Sequence, residues 1–454
     1  MAKYEIKDGV GIIPEGTTKI EDYAFMNCSN LTSIVIPNSV VEIGKTAFFH
    51  CDGLTSIIIP NSVNKIGKSA FENCYGLTNI IIPDSVTEIG DAAFQGCTGL
   101  TSIKVADGNK KYDSRNNCNA IIETDSNKLV EGCATTVILD SVIEIGYGAF
   151  NSCTSLTNIV IPNSVTNIGA YAFSGCTGLT NIVIPDSVTQ IGESAFEGCT
   201  GLTSIVIPDS VTNIGAYAFS GCTGLTNIVI PDSVTSLDWH TFRDCTGLTS
   251  IVIPASVTTM APAFEGCTGL TSIKVADGNK IFDSRNNCNA IIVTEGNVLK
   301  YGCHNTVIPD SVTKIEISAF EGFTGLTSII IPDSVTEIGS SAFKGCTGLA
   351  SITIPDSVTI IGNEAFDGCD GLTTITVGSG VKEINDYAFN CKNLSKLIMR
   401  VVDPTQIEIY RGTEFGGHQA TLYVPGDKKV ISAYKKNSTW KKYAAIQNYE
   451  EGME

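Results

Sequence analysis

The chain has 454 residues, of which 43% are hydrophobic and 17% are charged, so an intrinsically disordered protein is excluded. Its net charge of −18 argues against binding to nucleic acid or to an anionic membrane surface, because like charges repel. No apolar run approaches the roughly 20 residues of a membrane span, and the first residues lack the apolar stretch of a secretory signal.

An internal repeat begins near the N-terminus. Residues 1–25 are predicted to be an N-terminal capping coil, because a stack of repeats needs a polar end. Through residues 26–399 a phenylalanine, usually preceded by alanine, returns mostly every 23 residues, with one step of 22 and two of 56. This period predicts a solenoid in which each repeat forms one coil.

One repeat unit, from Leu202 to Cys222, shows the pattern. Residues 202–207 are rich in β-branched side chains and predict a strand, which ends at Pro208 because proline lacks the N–H that a sheet requires. Gly215 is predicted to turn the chain. The apolar groups on several sides of the coil are buried only when coils stack. The strand position recurs in about 17 coils, including Leu139 and Ile308, with weaker candidates at Ile13, Met399 and Val424.

Two coils, residues 101–139 and 271–308, are longer than the rest and nearly duplicate each other. In each, two apolar runs flank a turn-rich tetrapeptide, which predicts a β-hairpin on the side away from the main sheet. The first long coil also contains oxygen-bearing side chains that are candidate Ca²⁺ ligands but lack the spacing of a known calcium loop, namely Asp107, Asp113, Asn116 and Asn117. We therefore predict no metal site.

Residues 400–454 are predicted to form a final coil and a helical cap. The strand motif returns at residues 422–425, and a lysine-rich stretch from Lys428 to Ile446 follows. Within it Tyr434, Trp440 and Tyr443 lie at helical spacing, which predicts a short amphipathic helix.

Most of the 17 cysteines share one repeat position, which Phe323 fills in one coil. A position that accepts phenylalanine is apolar, so we interpret these cysteines as free thiols packed in the core. Two further pairs, Cys118 with Cys133 and Cys288 with Cys303, are either core residues or redox pairs, and this alternative stays open.

No catalytic constellation stands out from the repeat. The four histidines, His50, His240, His304 and His418, fall in different coils, so no nucleophile–histidine triad can be assembled. The recurring aspartates follow proline and precede serine, which is typical of turns. We predict a protein that is not an enzyme and has no cofactor.

The outward face of the main sheet is the candidate binding surface. Because strand residues alternate between faces, Ser204 and Val206 point outward when Leu202, Ile205 and Ile207 point inward. This face is nearly uncharged in an acidic chain. Strand propensity alone can explain its Thr and Val residues, but a contiguous apolar strip also marks interaction sites. In three central coils the candidate residues are Thr180, Asn181, Val183, Thr203, Ser204, Val206, Thr226, Asn227 and Val229.

The pattern LxxIxIP followed by VxxIGxxAFxxC resembles the leucine-rich repeat, specifically the BspA-like class of bacterial surface proteins. The resemblance covers nearly the whole chain. It implies an α/β-type, strand-rich leucine-rich-repeat solenoid that is right-handed and carries a parallel sheet. It also implies an extracellular or cell-surface location, although no signal peptide is visible.

Three functions follow as expectations. The first is a monomeric adhesion protein that recognises a host or bacterial surface protein or glycan, in keeping with the resemblance. The second is an intracellular interaction scaffold, consistent with the many unpaired thiols. The third is a binder of a regular array, in which the threonine ladder matches a periodic ligand such as ice or a polysaccharide.

Overall fold

The computed structural model describes residues 4–409, 420–426, 428–443 and 445–449. The chain divides into two units, Met1–Cys245 with Thr259–Ala263, and Thr246–Thr258 with Phe264–Glu454. Both units are stacks of short coils, about 19 in the whole chain, so the predicted parallel-strand solenoid is confirmed. The count exceeds the predicted number of about 17 because the weaker candidates Ile13, Met399 and Val424 all belong to coils. One further strand follows Val424.

Nearly all regular structure is β. In chain order the strands as far as residue 245 are β1 (Glu5–Lys7), β2 (Val10–Ile12), β3 (Lys19–Ile20), β4 (Ser33–Val35), β5 (Glu42–Ile43), β6 (Lys65–Ile66), β7 (Asn79–Ile82), β8 (Glu88–Ile89), β9 (Ser102–Val105), β10 (Tyr112–Asp113), β11 (Ala120–Glu123), β12 (Lys128–Gly132), β13 (Glu144–Ile145), β14 (Asn158–Val160), β15 (Asn167–Ile168), β16 (Asn181–Val183), β17 (Gln190–Ile191), β18 (Ser204–Val206), β19 (Asn213–Ile214), β20 (Asn227–Val229) and β21 (Ser236–Leu237).

The remaining elements follow residue 245, and of their strands only β23 belongs to the first unit. These strands are β22 (Ser250–Ile253), β23 (Thr259–Met260), β24 (Ser272–Val275), β25 (Phe282–Asp283), β26 (Ile291–Val293), β27 (Val298–Tyr301), β28 (Lys314–Ile315), β29 (Glu337–Ile338), β30 (Ser351–Ile354), β31 (Ile360–Ile361), β32 (Thr374–Val377), β33 (Glu383–Ile384), β34 (Lys396–Met399), β35 (Glu408–Ile409), β36 (Thr421–Val424) and β37 (Ala445–Asn448). Among the described residues one α-helix, α1, spans Lys428–Lys436, and five short 3₁₀ turns span Arg115–Asn117, Arg285–Asn287, Glu295–Asn297, Pro404–Gln406 and Trp440–Lys442.

Most coils contribute one strand to a main sheet. In the first unit β14, β16, β18 and β20 pair in parallel, each displaced by one repeat, so Ile182 lies beside Ile205 and Ile205 beside Ile228. These three side chains point inward and are buried. Burying each such aliphatic side chain stabilises the stack by about 1.5–3 kcal/mol, which is why isolated coils are not expected to be stable.

A second parallel sheet is built from two-residue strands in the same coils. In the first unit it runs through β13, β15, β17 and β19, and in the second through β28, β29, β31, β33 and β35. Its charged residues pair between coils: the Nζ atom of Lys314 lies 2.9 Å from the Glu337 carboxylate, and that of Lys65 lies 2.8 Å from Glu88. The interior between the two sheets is therefore closed on both sides by hydrogen-bonded backbone.

The third side of each coil carries a phenylalanine that stacks on the next. In the first unit the ring centroids of Phe150, Phe173, Phe196, Phe219 and Phe242 follow at 5.1–5.6 Å with nearly parallel planes. All five are fully or almost fully buried. The stacked rings fix how successive coils are aligned. If one coil slid sideways against the next, its phenylalanine ring would leave the neighbouring ring and lie over a turn.

The long coils contain the predicted hairpins. Strands β11 and β12 pair antiparallel, as do β26 and β27, and each pair joins the second sheet, away from the main sheet. The assignment of Leu139 to the strand position is wrong by one residue. Ile138 is buried like Ile308, while the carbonyl of Leu139 accepts the N–H of Val142 as the carbonyl of Pro309 accepts that of Val312. Leu139 thus replaces the usual proline.

Both ends of the chain depart from the repeat. At the N-terminus β1 and β2 form an antiparallel hairpin, and the Tyr4 ring stacks on Phe25 with centroids 5.5 Å apart. At the other end α1 stops at Lys436, and the strand β37 pairs in parallel with β36. The helix is thus shorter than the lysine-rich stretch suggests, and Trp440 and Tyr443 are buried beyond its end.

Candidate functional site

The structure brings the nine candidate residues together on the outward face of the first unit's main sheet. All nine are exposed. Because the strands pair in register, Asn181, Ser204 and Asn227 form one column of neighbours. Val183, Val206 and Val229 form a second column, with exposed fractions of 67%, 71% and 73%. Whether this surface binds a partner stays a prediction.

The exposed aliphatic column is longer than three residues. In the first unit it includes Val160, which is 75% exposed and pairs with Val183. Aliphatic side chains in this position gain nothing from burial within the chain. Repeated exposure of β-branched residues in register therefore makes a contiguous apolar strip, which is the usual mark of an interaction surface.

The threonine column beside this strip serves the fold first. The Thr203 hydroxyl donates to the carbonyl of Thr180, and the Thr226 hydroxyl donates to that of Thr203, both across 3.4 Å. These contacts tie each coil to the preceding one just before the strands begin. The hydroxyl protons are thus already directed into the protein, and the threonines offer a partner mainly their acceptor lone pairs and methyl groups.

An acidic column borders the apolar strip, and the sequence interpretation treated its members only as turn residues. The Pro-Asp-Ser turns expose Asp186, Asp209 and Asp232 in the first unit, and Asp310, Asp333 and Asp356 in the second. The regular period of the sequence was the available signal: any residue at a fixed position in successive coils is repeated about every 4.8 Å in a parallel stack. The strip itself is uncharged, but its border is not.

The cysteines form a ladder of buried donors. All 17 are free thiols, and all are buried except Cys153, which is partly exposed. The Cys222 thiol donates to the carbonyl of Phe196 across 3.1 Å, and that carbonyl also accepts the N–H of Cys199. The same bond, at 2.9–3.1 Å, recurs from Cys51, Cys74, Cys97, Cys176, Cys199, Cys245, Cys346, Cys369 and Cys391.

Burial keeps the thiols of Cys153 and Cys222 protonated. It raises the pKa of Cys153 to about 12 and raises the pKa of Cys222 well above its usual range. Cys118, Cys133, Cys288 and Cys303 of the long coils are likewise buried and free. Since the thiolate is the reactive form, the arrangement suits structural cysteines rather than nucleophiles.

Alkylation of the folded protein tests this description of the ladder. With iodoacetamide at pH 8, we expect Cys153 to react about tenfold faster than Cys222, because reaction requires access to a thiolate and only Cys153 is partly exposed. Peptide mass spectrometry over a time course measures both rates, and the same protein in urea provides the control in which the two should converge. Equal alkylation rates for Cys153 and Cys222 in the folded protein would contradict the burial of Cys222 in the ladder.

The other candidate sites do not assemble. Asp113 is bound by the guanidinium of Arg115, with Nε 2.8 Å from Oδ1, so it is not free to hold Ca²⁺. Among the described residues no group of three or more His, Cys, Asp or Glu side chains is placed to hold a metal ion. His50 Nδ1 lies 3.5 Å from Asp52 Oδ1, but this pair contains no nucleophile. His418 lies outside the described residues.

The repeat is matched by a family model. The model described as "BspA type Leucine rich repeat region (6 copies)" matches residues 12–124, 130–205, 166–292 and 300–410. The chain belongs to the BspA-type leucine-rich-repeat family. Leucine-rich-repeat solenoids are generally binding modules rather than enzymes, and the family is one of bacterial surface proteins. No curated protein matches the chain.

Solved structures of bacterial leucine-rich-repeat proteins are similar to this BspA-type chain. A leucine-rich repeat protein from Bacteroides ovatus is 26% identical, with 92% of this chain and 94% of that chain covered and a TM-score of 0.44. A leucine rich cell surface protein from Faecalibacterium prausnitzii is also 26% identical, with 87% and 85% covered and a TM-score of 0.48. Because both TM-scores are below 0.5, the assignment rests on the family model.

No helix in the described ranges is both long enough and apolar enough to cross a bilayer.

Proposed function

We propose that this chain is a non-enzymatic, monomeric binding protein of the cell surface or the extracellular space. It recognises a protein or glycan of a host or bacterial surface through the outward face of its main sheet. The observation that carries the proposal is the contiguous exposed column of Val160, Val183, Val206 and Val229, flanked by uncharged polar residues. Family membership supports a binding role, and the cell-surface description of a similar protein supports the location.

Introducing lysine into the strip tests the proposal. We expect the triple variant Val183→Lys, Val206→Lys and Val229→Lys to lose at least about tenfold in affinity, because the partner would have to desolvate three charges. Binding is measured by surface plasmon resonance against an immobilised panel of extracellular-matrix proteins and bacterial surface glycans. Wild-type binding that the triple variant retains would place the site elsewhere.

A matched control lies on the second sheet, in the coils of Val160, Val183 and Val206. Asn167→Lys, Gln190→Lys and Asn213→Lys add three charges to the second sheet, on β15, β17 and β19. This variant should bind like the wild-type protein. Because all six positions are at least partly exposed, both variants should unfold within about 1 kcal/mol of the wild-type protein, as circular dichroism in urea can verify.

The second candidate function is an interaction scaffold inside the cell. The observation that favours it is the set of 17 free thiols, since proteins of oxidising compartments usually pair their cysteines. The buried ladder weakens this argument, because thiols that are inaccessible resist oxidation in either compartment. Fractionation of the producing cell, with detection of the full chain in surface and cytosolic fractions, separates the two candidates.

A further inference from the structure

The main sheet of the second unit is interrupted at the long coil. Strands β22 and β24 pair with each other, and the sheet resumes only at β30. Between them lie two coils in which residues 306–309 and 327–331 form no strand. Within the described part of the chain, no backbone hydrogen bond is donated by residues 327–331. On this side of the described chain, no backbone hydrogen bond therefore joins residues 327–331 to the preceding coil.

The hairpin of the long coil accounts for the start of this interruption. The N–H of Val307 donates to the carbonyl of Cys288 across 3.0 Å, so it is directed into the hairpin instead of the main sheet. The duplicate coil of the first unit has the same bond from Val137 to Cys118, yet there the next coil returns to the sheet at β14. Only in the second unit does the following coil also remain outside the sheet.

A groove of about 820 Å³ opens on the outward face at this interruption. Val307 and Ile330 stand on it with exposed fractions of 71% and 83%, and Asp310 and Asp333 form one border. The lining is aliphatic, hydroxylic and acidic, and it contains no aromatic side chain. Aromatic rings are the usual stacking surface for large planar groups, so the groove suits a slender aliphatic chain better.

The acidic border has no basic partner in the described part of the chain. Asp310 and Asp333 are exposed, belong to successive coils and form no ion pair there. Arg285 approaches this turn, with its Nη1 atom 3.3 Å from Ser311 Oγ, but its guanidinium is already bound to Asp283. Two like charges separated by about one coil repeat repel each other, and a cation placed between them relieves this repulsion.

The groove continues toward the next coil but changes in charge. A neighbouring section of about 480 Å³ runs past Ile330 and Thr353 and includes Arg400. There Asp356 accepts the N–H of Ser379 across 2.7 Å. The neighbouring section is lined by Asp333 and Asp356 together with the basic Arg400, whereas the lining of the section bordered by Asp310 and Asp333 contains no basic residue, so a cationic group would be placed there.

We propose that this groove receives an arginine or lysine side chain, with an apolar neighbour, from an extended segment of a protein partner. The aliphatic stem packs against Val307 and Ile330, and the charged end binds between Asp310 and Asp333. Long basic side chains combine these two properties, whereas a neutral glycan offers neither the stem nor the charge. The inference rests on the proposed function and assigns the partner's chemistry at one position of the face.

Short synthetic peptides of known sequence test this assignment with the full-length protein. Three capped octapeptides alternate valine with arginine, glutamine or glutamate, and isothermal titration calorimetry measures their binding at low salt. We expect the arginine peptide to bind at least about tenfold more tightly than the glutamine peptide, and its affinity to fall as salt is added. Equal binding of the first two peptides, or no binding of the arginine peptide, overturns the proposal.

Paired charge variants locate the effect. The double variant Asp310→Asn, Asp333→Asn should weaken binding of the arginine peptide about tenfold. The double variant Asp209→Asn, Asp232→Asn removes the same charge where the sheet is closed, and it should change that affinity less than twofold. Asparagine naturally occupies this turn position at Asn38, Asn61 and Asn163, so both variants should fold. Equal weakening in the two variants would mean general attraction by net charge and would overturn the groove assignment.

The lysine variant of the first unit separates this inference from the proposed function. If the face at Val183, Val206 and Val229 proves inactive while the arginine peptide still requires Asp310 and Asp333, the proposed site fails and the groove stands. If the face binds partners and the groove variants have no effect on peptide or partner, the groove assignment fails and the proposed function stands.

Discussion

Replacing Gly192 with alanine is expected to destabilise the first unit by about 3 kcal/mol or more. A Cβ atom at this position would lie 2.5 Å from the backbone nitrogen of Ala170 and 2.6 Å from the carbonyl carbon of Gly169. Both atoms are backbone of the preceding coil, so relief requires moving one coil away from the next. Separating coils sacrifices the hydrogen bond from Gly192 N–H to Ile168 O and the packing beneath it.

The measurement is urea unfolding followed by circular dichroism, with Gly198→Ala as the control. Gly198 belongs to the same coil and has a φ of +68°, but the nearest atom to a Cβ there is Gly175 Cα at 3.8 Å. Alanine at 198 should therefore cost only the left-handed backbone strain, about 1–2 kcal/mol. If both variants unfold at the same urea concentration, close approach between coils does not limit this position.

This glycine position illustrates what the sequence pattern can and cannot predict. The repeat pattern singles out Gly215 and predicts that this glycine turns the chain. In the structure Gly215 has no positive φ, and its Cβ would instead meet the backbone nitrogen of Glu193 at 2.5 Å. The period shows that glycine recurs at this position, but the reason for it depends on the distance to another coil, which the sequence does not contain.

The parts that were predicted well are those that depend on period alone. The inward and outward alternation, the buried cysteine position and the two hairpins all follow from repeated spacing, and the structure has each of them. The assignments that differ lie where the repeat is broken. Leu139 replaces a proline, so the usual marker of the strand end was missing, and α1 ends at Lys436 where aromatic spacing suggested continuation.

The groove in the second unit could not be predicted for a related reason. Its residues, such as Val307 and Ile330, fit the repeat as well as those of any other coil. The interruption begins where a hydrogen bond from Val307 is directed to Cys288, within the long coil. Backbone pairing of this kind leaves no trace in residue type, whereas the acidic border could have been read from the recurring aspartates.

Replacing Glu131 with an uncharged residue, glutamine or tyrosine, is expected to raise the free energy of unfolding by about 1–3 kcal/mol at pH 8. The reason is that the wild-type protein buries a carboxylate there without a partner. Glu131 lies in the first long coil, is 7% exposed, and occupies the position that Tyr301 has in the duplicate coil. Among the described residues no donor is hydrogen-bonded to its carboxyl group, and the nearby Lys128 is paired with Glu144 at 3.1 Å. Burial raises the pKa of Glu131 well above its usual range.

The sign of the pH dependence follows from this raised pKa. The folded protein holds the Glu131 proton more tightly than the unfolded chain. The stability that protonation of Glu131 contributes is therefore fully present below the usual pKa of glutamate. The contribution is lost as the pH rises through the raised pKa of the folded state. The difference in unfolding free energy between Glu131→Gln and the wild-type protein should therefore grow from pH 5 to pH 8.

The duplicate coil supplies the decisive comparison for Glu131. Glu131→Tyr copies the residue that packs edge-on against Phe264 in the second unit, where the ring centroids are 5.7 Å apart, and it should remove the pH dependence as Glu131→Gln does. The reciprocal variant Tyr301→Glu should create a pH dependence of the same sign in the second unit. Urea unfolding of all four proteins at pH 5 and pH 8 measures these differences. Parallel profiles for wild type and Glu131→Gln would show that the carboxylate has a partner, and that one ionised side chain is accommodated in the interior of the long coil. Divergent profiles would instead mean that this chain retains, in one of two nearly identical coils, an acid that weakens the stack as the pH rises.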